Sequence, residues 1–392
     1  MSKIQLCDQY NCTQCMACVN ACPKGCISMI DAGEGFYIPQ ISREACVECG
    51  SCMRACHRID PKLGYNQPMK TLACWTKNDS DRKKSSSGGA FSVLARKTLN
   101  KGGVVYGATM DRDLTVKHIG VDNIDNIRLL QGSKYVQSFL GETYKSVQEQ
   151  LKGGREVLFT GTPCQVGGLL TFLRKKYDNL ITCDMVCHGV PSQRAFNAFC
   201  ERTHLSGTCD SVSFRFTEGW GFQLARELVS PTKDGDSNST SVQRKPILPH
   251  NAWYMRAFNK SLMFNESCYT CPYAIPQRIS DFTMADYWGL GSHAPFNHPT
   301  FKGVSMLLVN NERAWAMIQD CPELFYEERT LEEAIEGNYN LSHCSSRPKG
   351  RDSFIKDMEN MPQNKLVVKY DIKANMRDYL RILKQWINSK RV

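Results

Sequence analysis

The sequence of 392 residues has no apolar run that approaches the roughly 20 residues needed to cross a bilayer. Its first residues, MSKIQLCDQYNCTQC, lack the apolar stretch of a secretory signal. We therefore expect a soluble, cytoplasmic protein. A composition of 42% hydrophobic and 22% charged residues is typical of a globular chain and not of a disordered one.

Cysteine is the residue type in excess, because the chain contains twenty of them and ten lie before residue 60. A disulfide scaffold is typical of small secreted domains, whereas this chain is long enough to bury a hydrophobic core. In a reducing compartment, such a density of cysteine indicates metal ligation.

Two arrays of four cysteines share the spacing x2-x2-x3. They are Cys12, Cys15, Cys18 and Cys22, followed by Pro23, and Cys46, Cys49, Cys52 and Cys56, followed by His57. In bacterial ferredoxins, three cysteines of such an array bind one 4Fe–4S cluster and the fourth binds the other cluster. Structural zinc is a weaker alternative, since it prefers paired C-x2-C units with a longer gap. The arrays predict two 4Fe–4S clusters in an α+β ferredoxin-like module over residues 1–65.

The crossed arrangement assigns four ligands to each cluster. The first cluster takes Cys12, Cys15, Cys18 and Cys56, and the second takes Cys46, Cys49, Cys52 and Cys22. The segment GFYIPQIS between the arrays is interpreted as a strand. Cys7 and Cys26 fall outside the pattern and are interpreted as small buried hydrophobic residues.

The formal net charge of +10 is not interpreted as a sign of nucleic-acid binding. Thiolate ligands lose their protons, so each oxidised cluster carries about −2 and removes part of the excess. No nucleic-acid-binding motif accompanies the charge, and we expect no nucleic-acid partner. The remaining positive charge suits an acidic electron carrier of the ferredoxin or flavodoxin type.

Beyond a predicted linker at residues 60–72, apolar runs alternate with helical patterns. Strands are predicted at 102–110, 156–161, 180–186 and 304–310, and helices at 90–100, 142–152, 164–176, 192–203 and 311–319. This alternation predicts a larger α/β domain over residues 66–345. Residues 230–246 are interpreted as a polar surface insertion without a packing face.

Two segments of this domain are candidate ligand sites. SSSGGAF at residues 85–91 opens a predicted helix, where backbone amides and hydroxyls can hold phosphate or pyrophosphate. A capped loop is the alternative. GSKYVQS at residues 132–138 combines a cation, an aromatic ring and hydroxyls, a mixture that suits a flavin but is equally compatible with a polar loop.

Four further cysteines lie in dispersed loops: Cys164, Cys187, Cys268 and Cys271. Together they complete a ligand set for a third 4Fe–4S cluster, which is the interpretation we favour. A catalytic thiol activated by His188, or ordinary buried cysteines, are the alternatives. Cys74 or Cys183 could also replace one ligand of the set.

Five segments in order resemble the coenzyme F420 hydrogenase/dehydrogenase beta-subunit family over about residues 72–345. They are SSSGGAFSVLA, QGSKYVQS, GTPCQVGGLL, DMVCHGVPS and CYTCPYA with RISDFTMADYWG. The resemblance implies that the larger α/β domain binds FAD and exchanges hydride with coenzyme F420. It also implies that Ser86, Ser87, Gly88 and Gly89 lie near the FAD phosphates, and that Lys134, Tyr135 and Gln137 lie near the isoalloxazine.

One position departs from the family pattern, because Ala285 stands where the family often has glycine before Asp286. This departure weakens a role for Asp286 in substrate contact. Asp286 and Trp288 are equally interpreted as residues of a packed turn.

The combined features predict an FAD- and iron–sulfur-dependent oxidoreductase. Electrons would pass between the ferredoxin-type clusters and FAD, with hydride exchange to coenzyme F420. The alternative is a ferredoxin-dependent flavin reductase of a different organic substrate, such as a sugar or a tetrapyrrole. A non-enzymatic relay subunit is a third hypothesis. The expected partners are an electron carrier and a small-molecule hydride donor or acceptor.

Residues 346–392 are predicted to form a basic C-terminal helical tail. The stretch IKANMRDYLRILKQWINSKR at residues 372–391 has an amphipathic helical pattern. Docking on the domain or on a partner subunit is favoured over peripheral contact with an anionic membrane.

Overall fold

The computed structural model describes residues 4–216, 221–231 and 240–389. No helix within these ranges is long and apolar enough to cross a membrane. The described chain forms three β-sheets, of two, three and eight strands. Helices cover both faces of the largest sheet, so the fold is of the mixed α/β class.

The strands of the described chain have the following bounds. They are β1 (Ile27–Asp31), β2 (Tyr37–Ile41), β3 (Lys70–Thr76), β4 (Val104–Met110), β5 (Val116–Val121), β6 (Val157–Thr160), β7 (Leu180–Met185), β8 (Ser211–Phe216), β9 (Gly221–Pro231), β10 (Thr240–Pro246), β11 (Phe282–Asp286), β12 (Ser305–Val309) and β13 (Leu324–Arg329). Strands β1 and β2 form the small antiparallel sheet, and β8, β9 and β10 form the three-stranded one.

The helices begin mostly at polar capping residues or glycines. They are α1 (Ala17–Ala21), α2 (Ser51–Arg54), α3 (Asp79–Lys84), α4 (Ala90–Asn100), α5 (Thr143–Lys152), α6 (Pro163–Leu173), α7 (Gln193–Arg202), α8 (Trp253–Asn259), α9 (Glu312–Gln319), α10 (Leu331–Gly337), α11 (Arg351–Asn360), α12 (Gln363–Lys369) and α13 (Met376–Ser389). At the start of α6, the backbone N–H of Thr162 donates to Oε1 of Gln165 at 2.9 Å, and Pro163 occupies the first helical position.

The eight-stranded sheet has the order β13-β3-β12-β11-β7-β6-β4-β5. Its centre is parallel, because β4 pairs with β6, β6 with β7 and β7 with β11 in parallel register. The outer strands are antiparallel to their neighbours. Every residue of β6 is buried, as expected for a parallel strand covered on both faces.

Alternate side chains of β6 enter two separate cores. Leu158 packs in the core that contains α4, whereas Val157 and Phe159 pack in the core that contains α5 and α6. The apolar run of β6 is therefore continuous because each face of the strand packs against a helical layer. The same requirement explains why the central strands were readable from the sequence.

The predicted strands and helices of the larger domain are confirmed, with ends that differ by at most three residues. Two loop predictions are wrong in part. The predicted linker at 60–72 runs into β3, which begins at Lys70 and pairs with β12 and β13. Part of the predicted insertion at 230–246 forms β10, an edge strand that pairs with β9. Residues 232–239 of that insertion lie outside the described residues.

Both cysteine loops end in a short helix that follows a residue with left-handed backbone. Met16 (φ 58°) precedes α1, and Gly50 (φ 70°) precedes α2. The strand predicted between the arrays is present as β2, which pairs antiparallel with β1. The first sixty residues are thus two similar halves, each built from a cysteine loop and a helical turn.

Helix α6 of the larger domain packs directly on the first cysteine loop. A Cβ atom at Gly168 would lie 2.8 Å from both Cβ and Sγ of Cys15, and 2.8 Å from the hydroxyl of Tyr144. One turn further along, Oγ1 of Thr171 donates to the carbonyl oxygen of Ala55 at 2.7 Å. Only glycine permits the backbone of α6 to approach Cys15 this closely.

The C-terminal region contains three helices rather than one. Phe354 and Met358 of α11 are buried in the same core as Trp253 and Phe264 of the larger domain. The predicted amphipathic helix is present as α13, where Asp378 lies 3.9 Å from Arg256. The division of the chain at residue 345 stays a prediction.

We expect Gly168→Val to destabilise the protein by about 1–3 kcal/mol, because the added methyl groups overlap Cys15 and Tyr144. The matched control is Gly64→Val, since a Cβ atom at Gly64 has no neighbour within 4 Å. Thermal unfolding of both variants measures the effect. A midpoint for Gly168→Val that equals that of Gly64→Val would contradict the close packing of α6.

Candidate functional site

A cleft opens where the parallel strands of the large sheet end. It is lined by Gly161 and Thr162 after β6, by residues 186–190 after β7 and by residues 284–286 at the end of β11. The cleft encloses about 2060 Å³, including its open mouth. Open α/β sheets bind ligands beyond the carboxyl ends of their strands. The topology therefore makes this cleft the candidate site.

Four residues of the predicted phosphate-binding segment line one wall of the cleft immediately before α4: Ser85, Ser86, Ser87 and Gly89. Gly88 is not in the lining and packs against β3 and the start of β12. Gly89 has a left-handed backbone with φ 86°. A Cβ atom at Gly88 would lie 2.3 Å from the carbonyl oxygen of Cys74, so a larger residue would displace the loop from β3. The N-terminus of α4 adds the positive end of a helix dipole. This wall suits an anionic group such as a phosphate.

The second predicted segment meets the first across the cleft. The backbone N–H of Ser133 donates to Oγ of Ser86 at 2.7 Å. Next to it, Nζ of Lys134 donates to the carbonyl oxygens of Leu129 (3.2 Å) and Gln131 (2.9 Å). Burial lowers the pKa of the Lys134 ammonium to about 7. An anionic ligand in the cleft would stabilise the charged form of Lys134.

Tyr135 lies between the cleft and an aromatic core. Its ring centroid is 4.9 Å from that of Phe258, and its hydroxyl accepts a hydrogen bond from Nη1 of Arg215 at 3.1 Å. Arg215 also binds both carboxylate oxygens of Asp286, at 2.6 and 2.8 Å. The Arg215 side chain is only 2% exposed, so the ion pair fixes Asp286 at the cleft wall. Sequence reasoning missed Arg215 because β8 carries no motif.

A hydrogen-bonded chain of three side chains forms another part of the cleft wall. Nε2 of Gln165 donates to Oγ of Ser138 at 2.9 Å, and this hydroxyl lies 2.8 Å from Nδ1 of His118. Nε2 of His118 lies 3.0 Å from the carbonyl oxygen of Thr160. Burial lowers the pKa of His118 to about 4, so its imidazole is neutral at pH 7. His118 was missed because β5 was not predicted.

Two cleft residues have buried polar atoms with no hydrogen-bond partner among the described residues. They are Oε1 of Gln137 and Nε2 of His188. The other ring nitrogen of His188, Nδ1, lies 2.6 Å from Oδ1 of Asn340. Buried polar groups in proteins are nearly always paired. A ligand that carries both donors and acceptors would fit these side chains.

The eight cysteines of the two arrays surround two separate pockets. Cys12, Cys15, Cys18 and Cys56 line one, and Cys22, Cys46, Cys49 and Cys52 line the other. Within the described ranges, no three His, Cys, Asp or Glu side chains converge closely enough to hold a single metal ion. A cubane cluster needs no such convergence, because each cysteine binds a different iron.

The two cysteines outside the arrays also lie at these pockets. Sγ of Cys7 is 3.5 Å from Sγ of Cys56, and Sγ of Cys26 is 3.3 Å from Sγ of Cys22. Cys26 is buried, as expected for a small hydrophobic residue, but both thiols contact a predicted ligand. The pairwise spacing within an array gives no signal for such contacts.

The four dispersed cysteines, Cys164, Cys187, Cys268 and Cys271, are all partly buried. Cys187 lines the cleft, and Cys164 and Cys271 pack against the core that contains α6. Burial raises the pKa of Cys187, and the thiols of Cys164 and Cys271 raise it further. That the four thiols bind one cluster stays a prediction.

The alternative of a catalytic thiol stays a prediction. Burial raises the pKa of Cys164 to about 12, so its free thiol would stay protonated at neutral pH. Nδ1 of His188 contacts Asn340, while its Nε2 has no partner among the described residues.

These features define the class of an iron–sulfur redox protein with a ligand cleft at the sheet edge. Two family models match the sequence. The model of the 4Fe–4S dicluster domain matches residues 11–58, and the model of the C-terminal part of the coenzyme F420 hydrogenase/dehydrogenase beta subunit matches residues 154–333. A comparison with curated proteins finds no match.

Among solved structures, the chain is similar to a chain of the F420-reducing [NiFe] hydrogenase complex from Methanosarcina barkeri, determined after xenon derivatization. The sequences are 15% identical, the TM-score is 0.45, and the match covers 79% of this chain and 94% of that one.

The chain therefore contains a 4Fe–4S dicluster domain and, after it, a region similar to the C-terminal part of the coenzyme F420 hydrogenase/dehydrogenase beta subunit. Both matches agree with the resemblance stated above. They support an iron–sulfur oxidoreductase that transfers electrons.

Proposed function

We propose that this protein is an iron–sulfur flavoprotein oxidoreductase that exchanges hydride with coenzyme F420. Electrons would pass between the two ferredoxin-type clusters, a third 4Fe–4S cluster and FAD. The observation that supports the proposal is a spatial series. Cys15 of the first array touches α6, which carries Cys164 in its first turn, and Cys187 lines the cleft. Cys164, Cys187, Cys268 and Cys271 are called the inner group below.

The middle of the series depends on helix α6. This helix begins beside Cys164 of the inner group and touches Cys15 of the first array at Gly168. The charge of a Cys15 thiolate raises the pKa of Cys164, as expected for two sulfur atoms that are near one another. At the other end, Cys187 of the inner group lines the cleft.

A second contact links the first array to the inner group. His57 follows Cys56 and is buried, and its Nδ1 lies 2.7 Å from the hydroxyl of Tyr273. Tyr273 follows Cys271 by two residues, so the contact joins the two ligand segments. His57 stands at the position that proline occupies in the first array. The contact with Tyr273 of the larger domain explains why histidine rather than proline stands at position 57.

The cleft offers matching groups for both ends of FAD. Ser86, Ser87, Gly88 and Gly89 would hold the phosphates beside the N-terminus of α4. Lys134, Tyr135 and Gln137 would lie beside the isoalloxazine. FAD supplies hydride chemistry joined to one-electron transfer.

The chain's own residues would prepare the cleft for this chemistry. The ammonium group of Lys134 is poorly solvated, so an anionic ligand beside it would stabilise its charged form. Arg215 holds Asp286 at the wall in a fixed orientation. Burial keeps the imidazole of His118 neutral at pH 7, so it adds no charge to the cleft. These groups are fixed before ligand binding, which favours orientation of a bound substrate.

The external electron carrier would dock at the second array. Cys49 is exposed and the neighbouring Val47 is 57% exposed, whereas Cys15 of the first array is buried. A cluster bound by Cys49 would thus be the one that a ferredoxin or flavodoxin can approach.

The third cluster predicts about twelve irons per chain after anaerobic purification, four for each cluster. Cys187→Ser should lower the iron content by about four, because one iron of the inner cluster loses its ligand. The control is Cys344→Ser, since the Cys344 thiol contacts the carbonyl oxygen of Tyr269 and is not in the ligand set. About eight irons in the unmodified protein would refute the inner cluster.

FAD binding should depend on Lys134. We expect Lys134→Met to weaken FAD affinity at least tenfold at pH 6.5, while Lys152→Met, which removes an exposed charge, leaves the affinity unchanged. In the unmodified protein, the affinity should be constant below pH 7 and should fall as the pH rises above it. The reason is that the free Lys134 then loses its proton and must regain it to bind an anion.

Fluorescence titration of the flavin-free protein between pH 6 and 9 measures both effects. A Lys134→Met variant that keeps the affinity and pH profile of the unmodified protein would show that Lys134 does not face the cofactor.

Stopped-flow mixing of the flavin-loaded protein with reduced F420 tests the function itself. We expect rapid loss of flavin absorbance, followed by reduction of the clusters. In Cys187→Ser the flavin should still bleach, whereas the clusters should be reduced more slowly, since the inner group is interrupted. Failure of F420 to bleach the flavin would exclude F420. Flavin reduction by reduced ferredoxin in the same protein would then favour a reductase of another organic substrate.

A further inference from the structure

A second cavity lies between the N-terminal cysteine module and the larger domain. It encloses about 1040 Å³, including its open mouth, and shares Gln137 and Ser138 with the wall of the cleft. Its other walls come from the first cysteine loop, from β1 and the start of β2, from β5 and from the start of α7. None of the functions proposed above uses this cavity.

The cavity has no ionisable carboxylate, ammonium, guanidinium or imidazole group among the described residues that line it. The lining consists of Gln14, Met16, Val19, Ile27, Ser28, Met29, Gly35, Tyr37, Thr115, Val116, Gln137, Ser138, Phe139 and Gln193. An anion or cation would lose its hydration here without gaining a counter-charge. The occupant should therefore be neutral.

Aromatic and thioether side chains supply most of the apolar surface. Tyr37 and Phe139 are 43% and 55% exposed, although both are large and apolar. Met16 and Met29 add flexible, polarizable side chains that adapt to a flat ring and make favourable contacts with its edge. Exposed aromatic rings beside a concave surface are typical of a ligand site for a planar molecule.

Two amide side chains are left for the polar part of the occupant. Gln14 is 7% exposed, and its Nε2 has no hydrogen-bond partner among the described residues. Oε1 of Gln137 is also buried without a partner in the same part of the chain. By contrast, the amide of Gln193 is paired at both atoms. Its Oε1 accepts from the backbone N–H of Val116, and its Nε2 donates to the carbonyl oxygen of Leu114. Unpaired buried amides call for a partner that both donates and accepts.

We propose that this cavity binds a neutral, planar aromatic molecule that carries a carbonyl acceptor and an N–H donor on one edge. The ring lies among Met16, Met29 and Phe139, and the polar edge meets the amides of Gln14 and Gln137. A bound molecule contacts the loop that carries Cys12, Cys15 and Cys18, so the site lies beside the first cluster. It shares Gln137 and Ser138 with the wall of the cleft, is otherwise lined by different residues, and does not depend on the F420 reaction.

The test uses two ring compounds of the same shape, 2-naphthamide and 2-naphthoate. The amide is neutral and both donates and accepts, whereas the carboxylate is anionic. Equilibrium dialysis against the anaerobic, iron- and flavin-loaded full chain measures both. We expect saturable binding of one 2-naphthamide per chain below about 1 mM, and at least tenfold weaker binding of 2-naphthoate.

A variant that fills the cavity supplies the positional test. Ser28 lies on β1 at the cavity and is exposed. Ser28→Trp should weaken 2-naphthamide binding at least tenfold, while Ser28→Ala should leave it unchanged. Iron and flavin contents equal to those of the unmodified protein verify that both variants are folded.

Three outcomes would overturn the proposal. They are no saturable 2-naphthamide binding to the unmodified chain, equal binding of the amide and the carboxylate, or equal binding to Ser28→Trp and Ser28→Ala. Release of flavin by 2-naphthamide would likewise overturn it, because the compound would then occupy the cleft. Since the readout is binding, a failure of F420 to react would leave the result unaffected.

Discussion

The close contact between helix α6 and the first cysteine loop is the constraint on which the rest of the arrangement depends. At Gly168 the helix backbone lies so close to Cys15 that any side chain at this position would overlap it. The same helix starts beside Cys164, so its position determines how far the inner cysteines lie from the first array. Redox centres in series require such proximity, and two adjacent glycines, Gly167 and Gly168, permit it.

The cleft depends on a different property, the direction of the central strands. Because β6, β7 and β11 run parallel, the segments that follow them meet at one edge of the sheet. Residues that are more than 120 apart in sequence, such as Gly161 and Asp286, thereby line one cleft. Antiparallel outer strands close the sheet on both sides without changing this edge.

Charge and burial within the cleft complement each other. Arg215 and Asp286 neutralise one another in a bidentate pair, so their burial is tolerated. Lys134 has only carbonyl oxygens as close hydrogen-bond partners, and burial consequently lowers its pKa to about 7. A site that leaves one cation poorly compensated is prepared for an anionic ligand. The neighbouring cavity has no carboxylate, ammonium, guanidinium or imidazole group in its described lining and is suited to a different, neutral class of molecule.

The sequence by itself determined the two cysteine arrays, the α/β alternation of the larger domain and its resemblance to the coenzyme F420 hydrogenase/dehydrogenase beta-subunit family. Ligand spacing and strand hydrophobicity are local properties, and local patterns can be read directly. Strands such as β5 and β10 were not readable, because edge strands have one exposed face and carry mixed polar residues. His118 and Arg215 lie on such strands, and no motif marked them.

Only the tertiary structure decided which distant residues share a site. It brought Ser133 to Ser86, placed Cys7 and Cys26 against predicted cluster ligands, and left Gln14 and Gln137 with buried polar atoms that no described residue satisfies. These relations depend on chain reversal and on how separate segments pack against one another. Sequence spacing carries no information about such distances, because they are fixed by how the layers of the fold pack together.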